Sequence, residues 1–156
     1  MIAAAVTAIP TQTVLADLLA RPAPKERWQT VSLALPDRPQ WMEMVERQIS
    51  ELSSLPFGWD AFGAGPIRRD VLWFALWLLD SAMLDDTSPP HITPMSHDGI
   101  MLEWHRKGID LEIEIERPGE AHISYEDAAT GTDESWTIGT DVSSLTNAIE
   151  RITGLA

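Results

Sequence analysis

The sequence predicts an α+β fold: N-terminal helices, then an antiparallel β-meander of four to five strands, and a C-terminal helix packed on one face of the sheet. Two segments with helical periodicity occupy residues 39–83, and short strand-like segments separated by turn residues follow between 91 and 139. A helical repeat returns after residue 141. The length of 156 residues suits one domain with its own core, so residues 1–156 are predicted to be a single domain, with 1–38 as a loosely attached extension.

The first forty residues show the least regular pattern. Thr13–Ala20 is predicted to be a short helix that the proline-rich stretch Arg21–Pro24 ends, and Trp28–Leu35 is predicted to be a strand. Met1–Ala20 has no positively charged start and is interrupted by polar residues, so neither a signal peptide nor a membrane anchor is predicted. The chain has no cysteine, which fits a reducing compartment, and a cytoplasmic protein is predicted.

Two helices are predicted before the sheet. The first begins after Pro39 and is amphipathic over about fourteen residues. Its apolar residues recur at helical spacing: Trp41, Met44, Val45, Ile49 and Leu52. The second helix, at about residues 68–83, is apolar almost all round. Such a helix is expected either to be buried on most sides or to place one face against another chain.

The C-terminal half carries the strand patterns. Strands are predicted at His91–Met95, Ile100–Arg106, Ile109–Arg117, Ala121–Glu126 and Glu134–Gly139. Pro94 marks the first as an edge strand, because proline cannot donate to a sheet, and Ser96–Gly99 contains the Asp-Gly signal of a hairpin turn. Asp141 is the predicted N-cap of the last helix, which Gly154 ends.

The register of the central hairpin follows from its alternation. Ile109–Arg117 alternates apolar and acidic residues along its length, so one of its faces is predicted to pack on the core and the other to face water. A two-residue loop at Lys107–Gly108 pairs Glu103 with Glu112 and puts every apolar residue of the hairpin on the core face. On the other side, a three-residue loop Pro118–Glu120 is predicted, which pairs Glu116 with His122 and brings Glu126 opposite Glu112.

The resulting outward face is predicted to carry Glu103, His105, Asp110, Glu112, Glu114, Glu116, His122, Ser124 and Glu126. Like charges directly opposite one another destabilise a sheet by a few tenths of a kcal/mol or more. One interpretation is therefore that this face binds something cationic. The other is that the charges only keep the sheet soluble and protect it from aggregation.

The net charge of −13 is unevenly placed along the chain. Residues 1–66 hold seven acids and five bases, whereas residues 67–156 hold seventeen acids and six bases. Such a field repels nucleic acid and membranes and attracts basic proteins, so a basic protein or protein complex is the predicted partner, with no direct nucleic-acid binding. A flat, exposed sheet face of carboxylates lacks the concavity that catalysis needs. No catalytic, cofactor-binding or metal-binding residue is predicted.

The loop Phe57–Ala64 is rich in glycine and aromatic residues. It is either a structural Ω-loop, with Trp59 buried and Asp60 satisfying backbone N–H groups, or a loop in which Trp59 and Asp60 contact a partner. Together, "LPFGWDAFGAGPI", "HITPMSHDGIMLEWH" and "DLEIEI" resemble a group of short, functionally uncharacterised proteins of bacteria, plasmids and phages. The resemblance covers about residues 50–117 and implies a bacterial, mobile-element setting. It supplies no activity and no catalytic residues.

Three functions are compatible with these patterns. The first is a non-catalytic acidic protein that neutralises a basic, nucleic-acid-binding partner, as antitoxins, immunity proteins and anti-CRISPR or other anti-defence proteins do, with mimicry of a nucleic-acid backbone as one mechanism. The second is an oligomeric accessory protein, such as a homodimer, that associates through the apolar helix at Val71–Leu79 or through the loop Phe57–Ala64. The third is a small enzyme with acid–base groups among His97, Asp98, His105 and His122.

Overall fold

Residues 38–154, the part of the chain that the computed structural model describes, form three helices and a five-stranded sheet. The elements are α1 (Gln40–Ser53), α2 (Arg69–Ala82), β1 (His91–Pro94), β2 (Ile100–Arg106), β3 (Ile109–Arg117), β4 (Glu120–Asp127), β5 (Thr132–Ile138) and α3 (Ser143–Thr153). The predicted helix Thr13–Ala20 and strand Trp28–Leu35 lie outside the described residues. No helix within residues 38–154 is long and apolar enough to cross a membrane.

The sheet is an antiparallel meander in which each strand pairs with its neighbours in sequence, in the order β1-β2-β3-β4-β5. The predicted α+β class and the order of its elements are confirmed. Inward side chains of the central strands are nearly all buried: Ile100, Leu102, Trp104, Ile109, Leu111, Ile113, Ile115, Ala121, Ile123 and Tyr125. Burying each large aliphatic side chain contributes about 1.5–3 kcal/mol, so these residues hold the sheet to the helices.

Helix α1 is amphipathic as predicted, and it also covers the edge of the sheet. Its apolar face is buried through Trp41, Val45, Ile49 and Leu52. The side chain of Gln48 reaches the edge strand: its Nε2 donates to the carbonyl of Pro90 at 3.0 Å, and its Oε1 accepts from the amide of Ile92 at 2.9 Å. Because an edge strand otherwise exposes unpaired backbone groups, Gln48 ties β1 to α1 and satisfies part of that edge.

Helix α2 is buried on one side only. Val71, Leu72, Ala75, Leu78, Leu79 and Ala82 face the core. Trp73 and Trp77, on the opposite side, are 71% and 41% exposed. The expectation of a helix buried on most sides is therefore wrong, because the sheet and the other helices cover only part of its circumference.

The β2–β3 register is confirmed, but the β3–β4 register differs from the prediction by two residues. His122 lies opposite Glu114 and not opposite Glu116. Arg117 pairs with Glu120 around a two-residue turn, and a bulge between Glu114 and Arg117 absorbs the extra residue. Because the shift is an even number of residues, each side chain stays on its predicted face and only the partners across the strands change.

The shift changes the centre of the outward face. The predicted row Glu103–Glu112–Glu126 is wrong at its last member: Glu112 lies opposite Glu103 as predicted, but its neighbour on β4 is Ser124. Glu112 is therefore flanked by one carboxylate and one hydroxyl.

The last helix begins one residue later than predicted. Val142 is its N-cap, and the carboxylate of Asp141 accepts from the backbone amide of Ser143 at 3.0 Å and from its hydroxyl at 2.6 Å. These hydrogen bonds lower the pKa of Asp141, so the residue still satisfies the helix start, but from one position further out. Gly154 ends the helix as predicted, with a left-handed φ of 91° and its amide bonded to the carbonyl of Glu150.

Candidate partner-binding surface

The outward side of the sheet gathers acidic and histidine side chains from all five strands. We call this surface the acidic face. Its titratable members are His91, Glu103, His105, Asp110, Glu112, Glu114, Glu116, His122, Glu126 and Asp133. The basic residues of the meander, Arg106, Lys107 and Arg117, lie at strand ends or in a turn and not among them. Seven carboxylates therefore share one face without a Lys or Arg between them.

One row of the acidic face crosses four strands. Asp110 on β3 lies opposite Glu126 on β4, and Glu126 lies opposite Asp133 on β5. His105 on β2 completes the row on the other side of Asp110. Since neighbouring strands are about 4.8 Å apart, three carboxylates follow one another at close spacing, and only the first has a histidine beside it.

Histidines lie between the carboxylates at the β1–β3 side of the acidic face. His105 Nδ1 is 2.7 Å from Asp110 Oδ1, and His105 Nε2 is 3.8 Å from Glu103 Oε1. Glu103 Oε2 is 3.7 Å from Nδ1 of His91. The hydrogen bond to Asp110 raises the pKa of His105, and the charges of Asp110, Glu103 and Glu112 act in the same direction. The acidic face therefore loses part of its negative charge as the pH falls.

A shallow depression of about 160 Å³ lies on the acidic face. It is lined by His105, Asp110, Glu112, Ser124 and Glu126. Carboxylate and hydroxyl oxygens are the acceptors that the donors of an ammonium or guanidinium group need. The depression therefore suits the end of a Lys or Arg side chain. Among residues 38–154, no three His, Asp or Glu side chains are grouped so that they could hold a metal ion.

All nine residues predicted for the outward face lie on it, but the sequence analysis missed two further members, His91 and Asp133. His91 lies opposite Glu103, and Asp133 lies opposite Glu126. No register was derived for β1 or β5. The turn around Ser96–Asp98 could have been used to predict the pairing of β1 with β2, because it joins the two strands. β5 gives little signal, because its core side carries Glu134 as well as apolar residues.

The loop Phe57–Ala64, which we call the tryptophan-glycine loop, uses its polar groups internally. Trp59 Nε1 donates to the carbonyl of Gly65 at 3.0 Å, and its ring packs partly buried against the core. Asp60 Oδ1 accepts from the amides of Phe62 and Ala64, both at 2.9 Å, and these bonds lower the pKa of Asp60. This geometry is that of the structural Ω-loop interpretation, in which Trp59 and Asp60 shape the loop.

The aromatic surface of this loop comes from two other residues. Phe57 and Phe62 are 75% and 95% exposed, and the sequence analysis had not singled them out. The loop also touches the β1–β2 turn: a Cβ added to Gly65 would lie 2.7 Å from Asp98 Oδ1. Two of the motifs that carry the resemblance to the mobile-element proteins therefore meet in space. A partner contact from this region would use Phe57 and Phe62.

The residues considered for acid–base catalysis do not converge. His105 lies in the row that includes Asp110, whereas His122 lies opposite Glu114, two outward rows or about 13 Å further along the strand direction and two strands across. His97 and Asp98 are in the β1–β2 turn, beyond the end of both strands. Within residues 38–154, His105 is the only one of these candidates that is hydrogen-bonded to an acid, Asp110.

A second concave region lies between α3 and β5. This cleft of about 220 Å³ includes the core residue Tyr125, whose hydroxyl is buried and has no hydrogen-bond partner among the described residues. The guanidinium of Arg151 lies 5.8 Å from the centre of the Tyr125 ring. It is near enough to the phenol oxygen for the pKa of Arg151 to be raised, but not in hydrogen-bond geometry with it.

Comparisons of the chain with models of protein families, with curated proteins and with solved structures find no match. The function proposed below therefore rests on the residues and geometry just described.

Proposed function

We propose that this protein is a non-catalytic binding protein whose acidic face neutralises a basic partner. The observation that carries the proposal is the set of seven carboxylates on one exposed sheet face, with no Lys or Arg at the positions between them. Proteins that block nucleic-acid-binding enzymes or complexes, such as antitoxins, immunity proteins and anti-CRISPR or other anti-defence proteins, are the class that this surface fits best.

The acidic face has an electrostatic cost in the free protein. Glu103 lies directly opposite Glu112, and Glu126 lies between Asp110 and Asp133. Each like-charged pair costs roughly 0.2–1 kcal/mol relative to neutral side chains. Lys and Arg side chains of a partner would remove this repulsion on binding, because each would lie between carboxylates that now face one another. Long-range attraction between the two surfaces would also speed their association.

The depression on the acidic face supports a specific mode of contact. Its carboxylate and hydroxyl acceptors come from the two neighbouring strands β3 and β4, and its ring-nitrogen donor, His105 Nδ1, is already bonded to Asp110. Asp110 and Glu126 lie one strand spacing apart, about 4.8 Å, and Glu112 follows Asp110 by about 6.5–7 Å along β3. An inserted Lys or Arg would therefore find oxygens of all three residues nearby. A flat carboxylate-rich face with one such depression is complementary to a protein surface from which a single Lys or Arg side chain projects.

Mimicry of nucleic acid is the mechanism that we propose for the inhibition. Strand β3 presents four acids in succession on one side, Asp110, Glu112, Glu114 and Glu116, at intervals of about 6.5–7 Å. A regular line of negative charges is also what a nucleic-acid backbone presents to its protein partners. A groove that binds phosphates would therefore bind β3 and its neighbours, and the bound protein would exclude the nucleic acid.

The test is affinity capture from a bacterial lysate with three forms of the protein. The face variant neutralises four acids of the acidic face: Asp110→Asn, Glu112→Gln, Glu126→Gln and Asp133→Asn. The control variant makes the same change in charge at four exposed acids outside the acidic face: Glu43→Gln, Glu51→Gln, Asp85→Asn and Asp86→Asn.

We expect the wild type and the control variant to retain the same basic protein and the face variant to lose it. DNA or RNA added in excess should displace that protein from the wild type if the acidic face occupies a nucleic-acid site. Retention of the same proteins by the face variant would exclude the acidic face as the binding surface. A captured protein that nucleic acid does not displace would exclude mimicry and leave only the charge complementarity.

A further inference from the structure

Helix α2 exposes a stripe of residues that the acidic face does not involve. Arg69, Trp73, Trp77 and Asp80 recur every three to four residues and lie on the same side of the helix, away from the sheet. We call this stripe the tryptophan face. Trp73 is 71% exposed, although tryptophan is among the side chains that gain most from burial.

Two apolar grooves lie along the side of the tryptophan face that is next to α1, and both reach Trp73. One, of about 400 Å³, lies between α1 and α2 and includes Ile49, Leu72 and Leu76. The other, of about 330 Å³, continues along α2 to Trp77. An exposed aromatic stripe with apolar grooves beside it is typical of a protein–protein interface, in which Trp and Arg are over-represented.

The charges on the tryptophan face indicate which protein it binds. Arg69 lies at one end of the stripe and Asp80 at the other, about 16.5 Å apart along the helix. Both are exposed, and neither forms an ion pair within residues 38–154. The midpoint between Arg69 and Asp80 falls within half a residue of the midpoint between Trp73 and Trp77, at the level of Ala75.

A stripe with this symmetry is complementary to itself. If a two-fold axis passes at the level of Ala75, two α2 helices run antiparallel and Arg69 lies against the partner's Asp80. The same axis places Trp73 beside the partner's Trp77, and each contact occurs twice, as in any two-fold interface. A second copy of the chain therefore supplies the opposite charge at each end of the stripe.

We propose that the tryptophan face binds a second copy of this chain, in an antiparallel two-fold contact between the α2 helices. The contact buries four tryptophan side chains at its centre, with an Arg69–Asp80 pair at each end. The acidic face lies on the other side of the helix layer, so both acidic faces of the dimer remain open. The dimer does not depend on the function proposed for the acidic face.

The experiment measures mass in solution by light scattering across about 1–100 μM, a range suited to ordinary protein–protein affinities. We expect the wild type to have twice its chain mass of 17.3 kDa at the upper end. Arg69→Asp and Asp80→Arg should each be monomeric, because either change places like charges at both ends of the contact. Both residues are exposed, so each variant should keep the wild-type circular dichroism spectrum.

Mixing the two variants separates this geometry from any other dimer. In a mixed dimer, the Arg69→Asp chain has Asp at positions 69 and 80, and the Asp80→Arg chain has Arg at both. Each end of the contact therefore pairs an Asp of one chain with an Arg of the other. We therefore expect an equal mixture, and also the double variant Arg69→Asp/Asp80→Arg, to recover the dimer. Control reversals Arg47→Asp and Asp86→Arg, on exposed positions away from the stripe, should leave the mass unchanged.

Three results would overturn the proposal. A wild type that stays monomeric throughout the range would exclude the dimer. A dimer that persists in both single variants would place the contact elsewhere on the surface. Single variants that are monomeric but do not recover on mixing would exclude the antiparallel two-fold arrangement.

Discussion

His105 Nδ1 donates a hydrogen bond of 2.7 Å to Asp110 Oδ1 across the β2–β3 hairpin. The two residues lie directly opposite one another at the end of the carboxylate row that continues through Glu126 and Asp133. The pair therefore makes the charge at this end of the acidic face depend on pH. It also provides the most direct way to measure the field that the carboxylates create.

We expect Asp110→Asn to lower the pKa of His105 towards its ordinary value, because the hydrogen bond to Asp110 is the largest cause of the upward shift. A titration of the His105 ring by NMR measures this pKa. Glu43→Gln, which removes a charge on α1, should leave the pKa unchanged. An unchanged pKa in the Asp110→Asn variant would contradict the geometry described for the pair.

The same shift should appear in the pH dependence of stability. His105 has a higher pKa in the folded than in the unfolded chain, so its protonated form stabilises the fold below the unfolded pKa of about 6.5. That contribution is lost as the pH rises through the folded pKa. We expect urea denaturation to show wild type more stable than His105→Gln near about pH 5, with the difference vanishing at alkaline pH. A stability difference that grows as the pH rises would contradict a raised pKa of His105 in the folded protein.

Neutralising one side of a like-charged pair should stabilise the free protein. We expect Glu112→Thr to raise the free energy of unfolding by about 0.2–1 kcal/mol, since it removes the repulsion with Glu103 and adds a β-branched residue to a strand. Thermal or urea denaturation measures the gain, with Glu43→Gln on α1 as the control for a simple change in net charge. A destabilised Glu112→Thr variant would show that the carboxylates serve the fold itself.

Gln48 should contribute to stability through the edge of the sheet. Its side chain bonds the carbonyl of Pro90 and the amide of Ile92, so Gln48→Ala leaves both groups without that partner. We expect a loss of about 1–3 kcal/mol in urea denaturation and faster hydrogen exchange at the Ile92 amide. Gln40→Ala, at the exposed start of α1, is the matched control. Equal stability of the two variants would rule out this role.

Tyr125→Phe tests the cleft between α3 and β5. Because the Tyr125 hydroxyl is buried without a partner among the described residues, its removal should not lower the free energy of unfolding, and should raise it by up to about 1 kcal/mol. The ring is kept, so packing in the core is unchanged. A loss of more than about 1 kcal/mol would mean that the hydroxyl is hydrogen-bonded in solution, by water or by a ligand in the cleft.

The sequence was sufficient to predict the elements of the sheet and the register of its first central hairpin. Strict alternation in β3 and a two-residue turn allow only one pairing that keeps Leu111 and Trp104 on the core side. The β3–β4 pairing could not be predicted in the same way. A turn one residue shorter than predicted and a bulge near Arg117 together move the register by two residues, and such a shift keeps every side chain on its face. The hydrophobic pattern therefore carries no information about it.

The exposed aromatic residues could not be predicted because their exposure depends on tertiary packing. Helix α2 is apolar almost all round, so its sequence does not indicate which side the sheet covers. Trp73 is exposed because it lies on the side of α2 that faces away from the core. In the tryptophan-glycine loop, the aromatic residue that packs inward is Trp59, while Phe62 points outward, and nothing in their spacing distinguishes the two.

The proposed function depends on the acidic face as the binding surface for a basic protein. The most direct measurement is the dissociation constant of the captured partner for the wild type, the face variant and the control variant, by calorimetry at low and moderate salt. We expect the face variant to bind at least about ten-fold more weakly at low salt, and the wild type to weaken as salt screens the contact. Equal affinity of the face variant and the wild type at low salt would exclude the acidic face as the binding surface.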